Sequence, residues 1–230
     1  MENILFKEEV SQNYSRTKNL SGLSQFGESY RGNELKNWSK RLTDLIISFF
    51  TIVFIMSWLY PIVAMAIKLS SKGPVIFKQK RHGLHNKPFL CYKFRTMVIN
   101  NEADTKQATQ NDQRVTRIGR FLRKTSLDEI PQVFNVLAGE MSIVGPRPHA
   151  IPMNWEFSKS IEGFMLRHAV KPGITGLAQC KGYRGEIRSF YDIYSRYKFD
   201  LFYVKNWCLM LDIRIITATI FSLLKGQKAY

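Results

Sequence analysis

The chain has 230 residues, 45% hydrophobic and 23% charged, so it can form one ordinary domain with an anchor and is too apolar for a disordered protein. Lysine and arginine outnumber the acids by 34 to 18, and this net charge of +16 predicts an anionic partner such as lipid, nucleic acid or a phosphorylated small molecule. Three scattered cysteines without CxxC spacing, and four histidines without HxH or HxxxH spacing, argue against a disulfide scaffold and a zinc site.

Residues 1–35 differ from the rest of the chain. They are rich in Ser, Asn and Gln and carry five acids against four cations, which predicts a weakly ordered polar tail rather than a signal peptide. The positive charge therefore lies beyond residue 35. Between Asp44 and Glu102 there are eight cations and no acid.

The strongest pattern is the uncharged run of 23 residues at 45–67. As a helix it would be about 35 Å long, close to the thickness of a bilayer's hydrocarbon core. It predicts a membrane anchor over residues 36–68. Because Lys40 and Arg41 precede the run and the cationic block follows it, both ends are expected on the cytoplasmic side. Pro61 removes a helical hydrogen bond, so we expect a re-entrant hairpin broken at Pro61, with a spanning helix as the alternative.

Residues 69–230 are predicted to form one folded domain on the cytoplasmic side. The predicted fold class is α+β, mostly helical with a short β-hairpin, in which a membrane-associated head follows the re-entrant helix-hairpin and ends in interfacial helices. The predicted elements are strands at 75–79 and 89–94, a polar loop at 100–114, a helix at 114–124, a helix from Ser126 or Asp128 to Gly139, an irregular stretch around Pro146, Pro148 and Pro152, and a helix at 190–207. The apolar segment 211–224 is too short to span a membrane and is either core or an interfacial helix.

The segment SLDEIPQ contains two adjacent carboxylates, Asp128 and Glu129, at an expected helix start. Ser126 and Glu129 have capping-box spacing, so simple helix capping is one interpretation. Cations nearby would favour the ionised form of a carboxylate and could bind phosphate. Phosphoryl transfer needs such cations together with a nucleophilic carboxylate and a second acid that binds a hard metal, so the segment suits this reaction. The nearby cations are Lys93, Arg95 and Arg123.

Two further segments contain candidate binding residues. Arg147 lies between Pro146 and Pro148, whose fixed φ angles would present its guanidinium from a stiff loop to a phosphate; a plain turn is the alternative. Arg184 and Glu186 are separated by one glycine. A sugar hydroxyl could bridge them, and a surface ion pair fits the same spacing.

The chain resembles the bacterial sugar transferase family, the polyprenyl-phosphate sugar-1-phosphate transferases, also called monotopic phosphoglycosyl transferases. The resemblance runs from about residue 36 to 224. The matching segments are KRLTD, GPVIFKQKRHG, YKFRTM, FLRKTSLDEIPQVFNVLAGEMSIVGPRP, VKPGITGLAQ and YDIYSRYKFDLFYVKNWCLMLDIRII.

The resemblance implies transfer of a sugar-1-phosphate from a UDP-sugar to a polyprenyl phosphate, usually undecaprenyl phosphate. The reaction releases UMP and starts an exopolysaccharide or another surface glycan. By this likeness Asp128 is the nucleophile, which forms an aspartyl-phosphosugar intermediate, and Glu129 helps to hold Mg²⁺ beside it. Arg147 would bind the donor, and Lys93 and Arg123 match positively charged positions.

The segment GYRGEI resembles members that use UDP-glucose, which favours glucose and assigns sugar recognition to Arg184 and Glu186. UDP-galactose and a UDP-N-acetylhexosamine are the alternatives. The family also implies that residues 69–230 are a catalytic domain at the cytoplasmic face of the bacterial inner membrane. It further implies contact with anionic lipid and a possible homo-oligomer. Two positions depart from the family pattern: Tyr60 precedes Pro61 where many members have serine, and Glu140 stands where many have aspartate.

A different class of function is also compatible with the composition. A non-catalytic, membrane-tethered adaptor would use the basic surface to bind lipid and the carboxylates only to cap a helix. Nucleic acid is not expected as a partner, because the basic residues adjoin an apolar segment and no RNP1 or basic-zipper pattern occurs.

Overall fold

The computed structural model describes residues 34–100, 109 and 112–224. The predicted polar tail, except its last two residues, and most of the predicted loop at 100–114 lie outside the described residues. The elements, in chain order, are α1 (Glu34–Thr51), a π-helical turn (Ile52–Met56), α2 (Ser57–Ser70), β1 (Ile76–His82), a 3₁₀ turn (Leu84–Asn86), β2 (Pro88–Phe94), α3 (Arg117–Thr125), a 3₁₀ turn (Leu127–Glu129), α4 (Gln132–Leu137), β3 (Ser142–Val144), α5 (Ile151–Ser160), a 3₁₀ segment (Phe164–Ala169), β4 (Gly173–Thr175), α6 (Leu177–Cys180), α7 (Phe190–Asn206) and α8 (Leu209–Leu224).

The mostly helical α+β class is confirmed, and so is the hairpin. β1 and β2 pair antiparallel, with Ile76 opposite Phe94 and His82 opposite Pro88. The sequence did not reveal the parallel pairing of β3 and β4, because three-residue strands are too short for a period. A Cβ on Gly173 would lie 2.0 Å from the nitrogen of Gly145, so this pairing requires glycine at the contact.

The chain around Pro61 is helical, and the bend predicted there stays a prediction. Helical structure continues from Glu34 to Ser70, Pro61 lies inside α2, and the departure from α-helical geometry is the π-turn before it. A proline displaces the turn that precedes it, and a π-turn accommodates such a displacement. Side chains satisfy two carbonyls of this turn: Ser57 Oγ donates to the carbonyl of residue 53, and Trp58 Nε1 to that of residue 54, each at 2.7 Å.

The helix Trp38–Ser70 is long and apolar enough to cross a membrane. One side of it packs on the part of the described chain that follows residue 70, which we call the head. Met56, Leu59, Val63 and Ile67 are buried there against a core that includes Phe94, Leu122 and Val133. The opposite side exposes large apolar residues along its whole length. They include Leu42, Ile46, Phe49, Phe50, Phe54, Trp58, Ile62, Met65 and Leu69.

Polar contacts attach the start of this helix to the head. Lys40 Nζ lies 2.7 Å from Asp212 Oδ2 and 3.0 Å from the carbonyl of Val144. The buried Asp44 accepts hydrogen bonds from Ser142 Oγ and from the backbone N–H of Ile143, both at 2.9 Å. Lys40 is therefore a structural cation that holds α1 on β3 and α8.

The end of the anchor is attached as well. Arg95, at the end of β2, donates from its two terminal nitrogens to the carbonyls of Ser71 and Lys72, both at 2.7 Å. Arg41, near the start, donates to two carbonyls at the end of α4, at 2.6 and 2.8 Å. Both ends of the apolar helix therefore contact one and the same head.

The last helix, α8, combines the two predicted alternatives. Ile215 is buried against Tyr203 and Val204, as a core residue would be. Ile213 and Phe221 are 45% and 63% exposed. An exposed apolar face thus accompanies a core face, and this geometry favours an interfacial helix.

Two other segments test the helix predictions. The predicted helix at 190–207 is confirmed as α7, and Ser189 and Asp192 form a capping box at its start. The irregular stretch predicted around Pro152 is wrong, because Pro152 lies in the first turn of α5. A proline is tolerated there, since the first N–H groups of a helix have no intrahelical acceptor.

Candidate active site

The acidic dyad lies on a short 3₁₀ turn between two helices. α3 ends at Thr125, and Ser126 takes the left-handed conformation with φ 60° and ψ 14°. The turn at Leu127–Glu129 follows, Pro131 precedes the first residue of α4, and α4 begins only at Gln132. The predicted helix beginning at residue 126 or 128 is therefore wrong, because the left-handed residue redirects the chain and Pro131 has no N–H to donate.

The predicted capping box at this turn does not form. Ser126 makes no side-chain cap hydrogen bond, and in the part of the chain that the structure describes its buried Oγ has no hydrogen-bond partner. Glu129 instead uses its carboxylate in ion pairs. Helix capping therefore does not explain the dyad.

Three cations surround the Glu129 carboxylate. Arg147 donates from both terminal nitrogens, at 2.6 Å to Oε1 and 3.1 Å to Oε2. Lys93 Nζ lies 2.7 Å from Oε1, and Arg184 lies 3.3 Å from Oε2. Burial opposes ionisation, but the charges of Arg147 and Lys93 hold the pKa of Glu129 well below its usual range. Glu129 thus brings together β2, the loop after β3 and the loop after α6.

Asp128 has a different environment. It is buried, with 8% of its surface exposed, and its carboxylate makes no hydrogen bond or ion pair with the rest of the described chain. Burial raises its pKa above the ordinary value; the charge of Glu129 acts in the same direction, and Lys93 and Arg123 oppose them. An unpaired carboxylate of raised basicity is the group of the dyad that can form a covalent bond.

Both carboxylates border a cavity of about 640 Å³, a size typical of small-molecule sites. The lining is strongly cationic, which suits a ligand carrying phosphate groups. Its charged members are Lys78, Arg81, Lys93, Arg95, Arg123, Arg147, Arg184 and Arg196, with Asp128, Glu129 and Glu186 as the acids.

The four cations predicted to bind phosphate all line the cavity, but their contacts differ from one another. Lys93 and Arg147 contact Glu129 at the edge of the cavity, as described above. Arg123 also lines the cavity, and its Nε donates to Thr96 Oγ1 at 2.9 Å. Arg95 lines the cavity too, but its guanidinium is occupied by the carbonyls at the end of α2.

Arg184 and Glu186 both line the cavity but do not pair with each other in the described chain. Arg184 contacts Glu129, and Glu186 lies 3.6 Å from Arg188. The surface ion pair that their spacing allowed is therefore not formed. Their predicted role in sugar recognition stays a prediction.

Residues that the sequence did not single out hold the Arg147 loop in place. Arg81 donates to the carbonyl of Pro148 at 2.6 Å. Arg167, which is almost fully buried, donates to the carbonyl of Arg147 at 2.7 Å and pairs with Asp200 at 2.6 Å. No local pattern marks these arginines, because each meets its partner only through the fold.

The predicted Mg²⁺ site does not fit this arrangement as a joint site of both carboxylates. Each Glu129 oxygen already contacts cations, so it has little affinity left for a metal. Among the described residues no group of three His, Cys, Asp or Glu side chains could hold a metal ion. Mg²⁺ commonly takes one or two carboxylates together with substrate phosphates, and only Asp128 of the dyad is open to it.

A long apolar helix accompanies a cation-lined cavity with one unpaired and one paired carboxylate, and such a lining suits phosphorylated ligands. Residues 35–226 match the family model described as bacterial sugar transferase, and the chain belongs to that family.

Its relatives include enzymes with an assigned reaction. The chain is 50% identical over 192 residues to the UDP-glucose:undecaprenyl-phosphate glucose-1-phosphate transferase of Klebsiella pneumoniae, a match that covers 83% of this chain and 41% of that protein. It is 48% identical over 197 residues to the protein of the same name from Xanthomonas campestris, covering 84% and 40% of the two chains. The Caulobacter vibrioides protein of that name is 41% identical over 192 residues, with 83% and 72% covered. The chain thus spans about two fifths of the length of the first two relatives.

Proposed function

We propose that this chain transfers glucose-1-phosphate from UDP-glucose to undecaprenyl phosphate and releases UMP. The observation that carries this proposal is the unequal dyad: Glu129 is paired with three cations while Asp128 is unpaired at the same cavity. The names of the relatives support glucose as the sugar and undecaprenyl phosphate as the acceptor. The product would be the lipid-linked sugar that begins an exopolysaccharide or another surface glycan.

In the first half-reaction the Asp128 carboxylate attacks the phosphorus that carries the sugar. A bond forms between Asp128 Oδ and this phosphorus, the phosphorus–oxygen bond to UMP breaks, and the electron pair leaves with UMP. Lys93, Arg123 and Arg147 surround the dyad with positive charge, which would stabilise the negative charge that develops on the phosphoryl oxygens. A carboxylate needs no general base to act as a nucleophile.

In the second half-reaction an oxygen of the lipid phosphate attacks the same phosphorus. The bond to Asp128 breaks and the carboxylate returns to its ionised form. The acceptor phosphate is already largely ionised near neutral pH, so this step needs no strong base either. Glu129 is poorly suited to proton transfer, because its ion pairs hold its pKa well below the usual range.

The proposed location is one leaflet of the membrane, with the head on the cytoplasmic side. Lys40 attaches the start of the apolar helix to the head and Arg95 attaches its end. A helix that packs on its own head along its length cannot cross the whole bilayer while the head stays in water. This favours a re-entrant anchor over a spanning helix, and the cations beside it would face anionic lipid.

A panel of UDP-sugars tests the proposed function. The purified full chain in detergent, with Mg²⁺ and undecaprenyl phosphate, should release UMP from UDP-glucose at least about tenfold faster than from UDP-galactose or UDP-N-acetylhexosamines. Preference for another UDP-sugar would revise the donor. No release from any UDP-sugar would favour the adaptor function.

A further inference from the structure

A second cavity, of about 290 Å³, adjoins the dyad turn. Its walls are mainly apolar side chains: Ile47 from the anchor and Ile216, Ile220 and Leu223 from α8 form one part, and Ile130, Val133, Ile143 and Ile174 of the head form the other. The outward faces of these same two helices carry exposed apolar residues. The cavity therefore lies between the head and the two helices that would lie against lipid.

The two cavities meet at three residues, Ser126, Glu129 and Arg184, which line both of them. At this junction Arg184 contributes a positive charge and Glu129, 3.3 Å from it, a negative charge, while most of the other lining side chains are apolar. A nucleotide is a poor occupant, because its ribose and phosphates would lose hydration against isoleucine and leucine. A molecule with a hydrocarbon body and one phosphate at its end matches the apolar walls and the three cations, Lys93, Arg147 and Arg184, that surround Glu129 at the junction.

Ser126 is the most unusual residue at this junction. It is one of three non-glycine residues in the described chain with positive φ, and its buried Oγ has no partner there. A strained backbone and an unsatisfied buried hydroxyl both cost stability, and such costs are found at sites where a ligand supplies the missing contact.

We infer that the second cavity holds the phosphate-proximal isoprene units of the polyprenyl acceptor, and that Ser126 Oγ donates a hydrogen bond to the acceptor phosphate as it approaches Asp128 past Arg184. This inference rests on the proposed function and adds the route by which the lipid reaches the dyad. The donor and the acceptor then reach one phosphorus from two separate cavities. The acceptor oxygen forms its bond to this phosphorus, and the bond to Asp128 breaks.

Cavity filling tests the route. Ile220 lines the cavity and is half exposed, so Ile220→Trp narrows the space without burying a new ring in the core. Ile213→Trp is the matched control: Ile213 lies on the same helix, is 45% exposed, and does not line the cavity. Two quantities are measured for each variant: the burst of UMP from UDP-glucose alone, and steady-state turnover against undecaprenyl phosphate.

Ile220→Trp should keep the burst and raise the KM for undecaprenyl phosphate about tenfold, while Ile213→Trp should match the unmodified chain in both measurements. Ser126→Ala should also keep the burst and slow the acceptor step about tenfold, the loss of one hydrogen bond to a charged group. An unchanged acceptor KM in Ile220→Trp, or equal loss of burst and turnover in either variant, would overturn the assignment. Absence of a burst in the unmodified chain would overturn the proposed function, and this assignment with it.

Discussion

Arg147 binds Glu129 with both terminal nitrogens of its guanidinium, at 2.6 and 3.1 Å, across 18 positions of sequence. This contact separates the roles of two adjacent carboxylates. Glu129 becomes a fixed anion that organises the surrounding cations, and its neighbour Asp128 stays unpaired. Two identical chemical groups thus differ in environment, as expected of a site in which only one of them reacts.

Arg147→Lys should lower kcat/KM for UMP release strongly, because lysine cannot form the two parallel bonds that orient Glu129. A loss of about 1.5–3 kcal/mol in transition-state stabilisation, or roughly 10- to 100-fold in rate, is expected for one charged hydrogen bond. Initial rates over a range of UDP-glucose concentrations measure this loss. Activity within twofold of the unmodified chain would show that the bidentate contact is dispensable.

The burst of UMP should disappear at acid pH as Asp128 becomes protonated. Because burial raises the pKa of Asp128, the loss should occur above the value near 3.9 of a free aspartate. Lys93 stabilises the ionised form of Asp128, so Lys93→Met should raise this pKa further and move the acid limb to higher pH. A pH profile of the burst amplitude measures both effects; an acid limb that moves to lower pH would contradict the assignment.

Lys40→Met should destabilise the head through its contact with the anchor. The substitution leaves the buried Asp212 with only the hydrogen bonds from Tyr203 and Trp207, and loss of one partner of a buried ion pair costs about 3–5 kcal/mol. Thermal unfolding in detergent measures the effect. Lys159→Met provides the control, since its contact with Glu156 is exposed and should cost at most about 1 kcal/mol.

Residues 30 and 72 should lie on the same side of the membrane if the anchor is re-entrant. Single cysteines at these positions, in a chain whose exposed Cys208 is replaced by serine, should both react with an impermeant maleimide only from the cytoplasmic face. Labelling of the two positions from opposite faces would establish a spanning helix and contradict the proposed topology.

Local patterns were sufficient to predict the β-hairpin and α7, and they singled out Asp128 and Glu129, which line one cavity. Period-two and period-3.6 hydrophobicity and adjacent charges are all visible within a few residues. Local patterns also located the long apolar helix, but not the π-turn before Pro61, since that turn depends on how the backbone adapts to the proline.

The contacts that arrange the site join distant parts of the chain. Lys40 and Arg41 were expected to flank a lipid-embedded segment, yet the structure uses both to attach that segment to the head. Arg95, for which phosphate binding stays a prediction, lines the cavity and also binds two carbonyls at the end of α2. Each of these three cations contacts a partner at least 23 positions away in the sequence, and no pattern in a single sequence identifies such partners.

The most direct test of the central claim is intact-protein mass spectrometry after rapid mixing with UDP-glucose in the absence of acceptor. The account predicts a phosphoglucosyl adduct on Asp128, absent from Asp128→Asn and discharged when undecaprenyl phosphate is added. Product formation without any adduct, or an adduct that persists in Asp128→Asn, would contradict it.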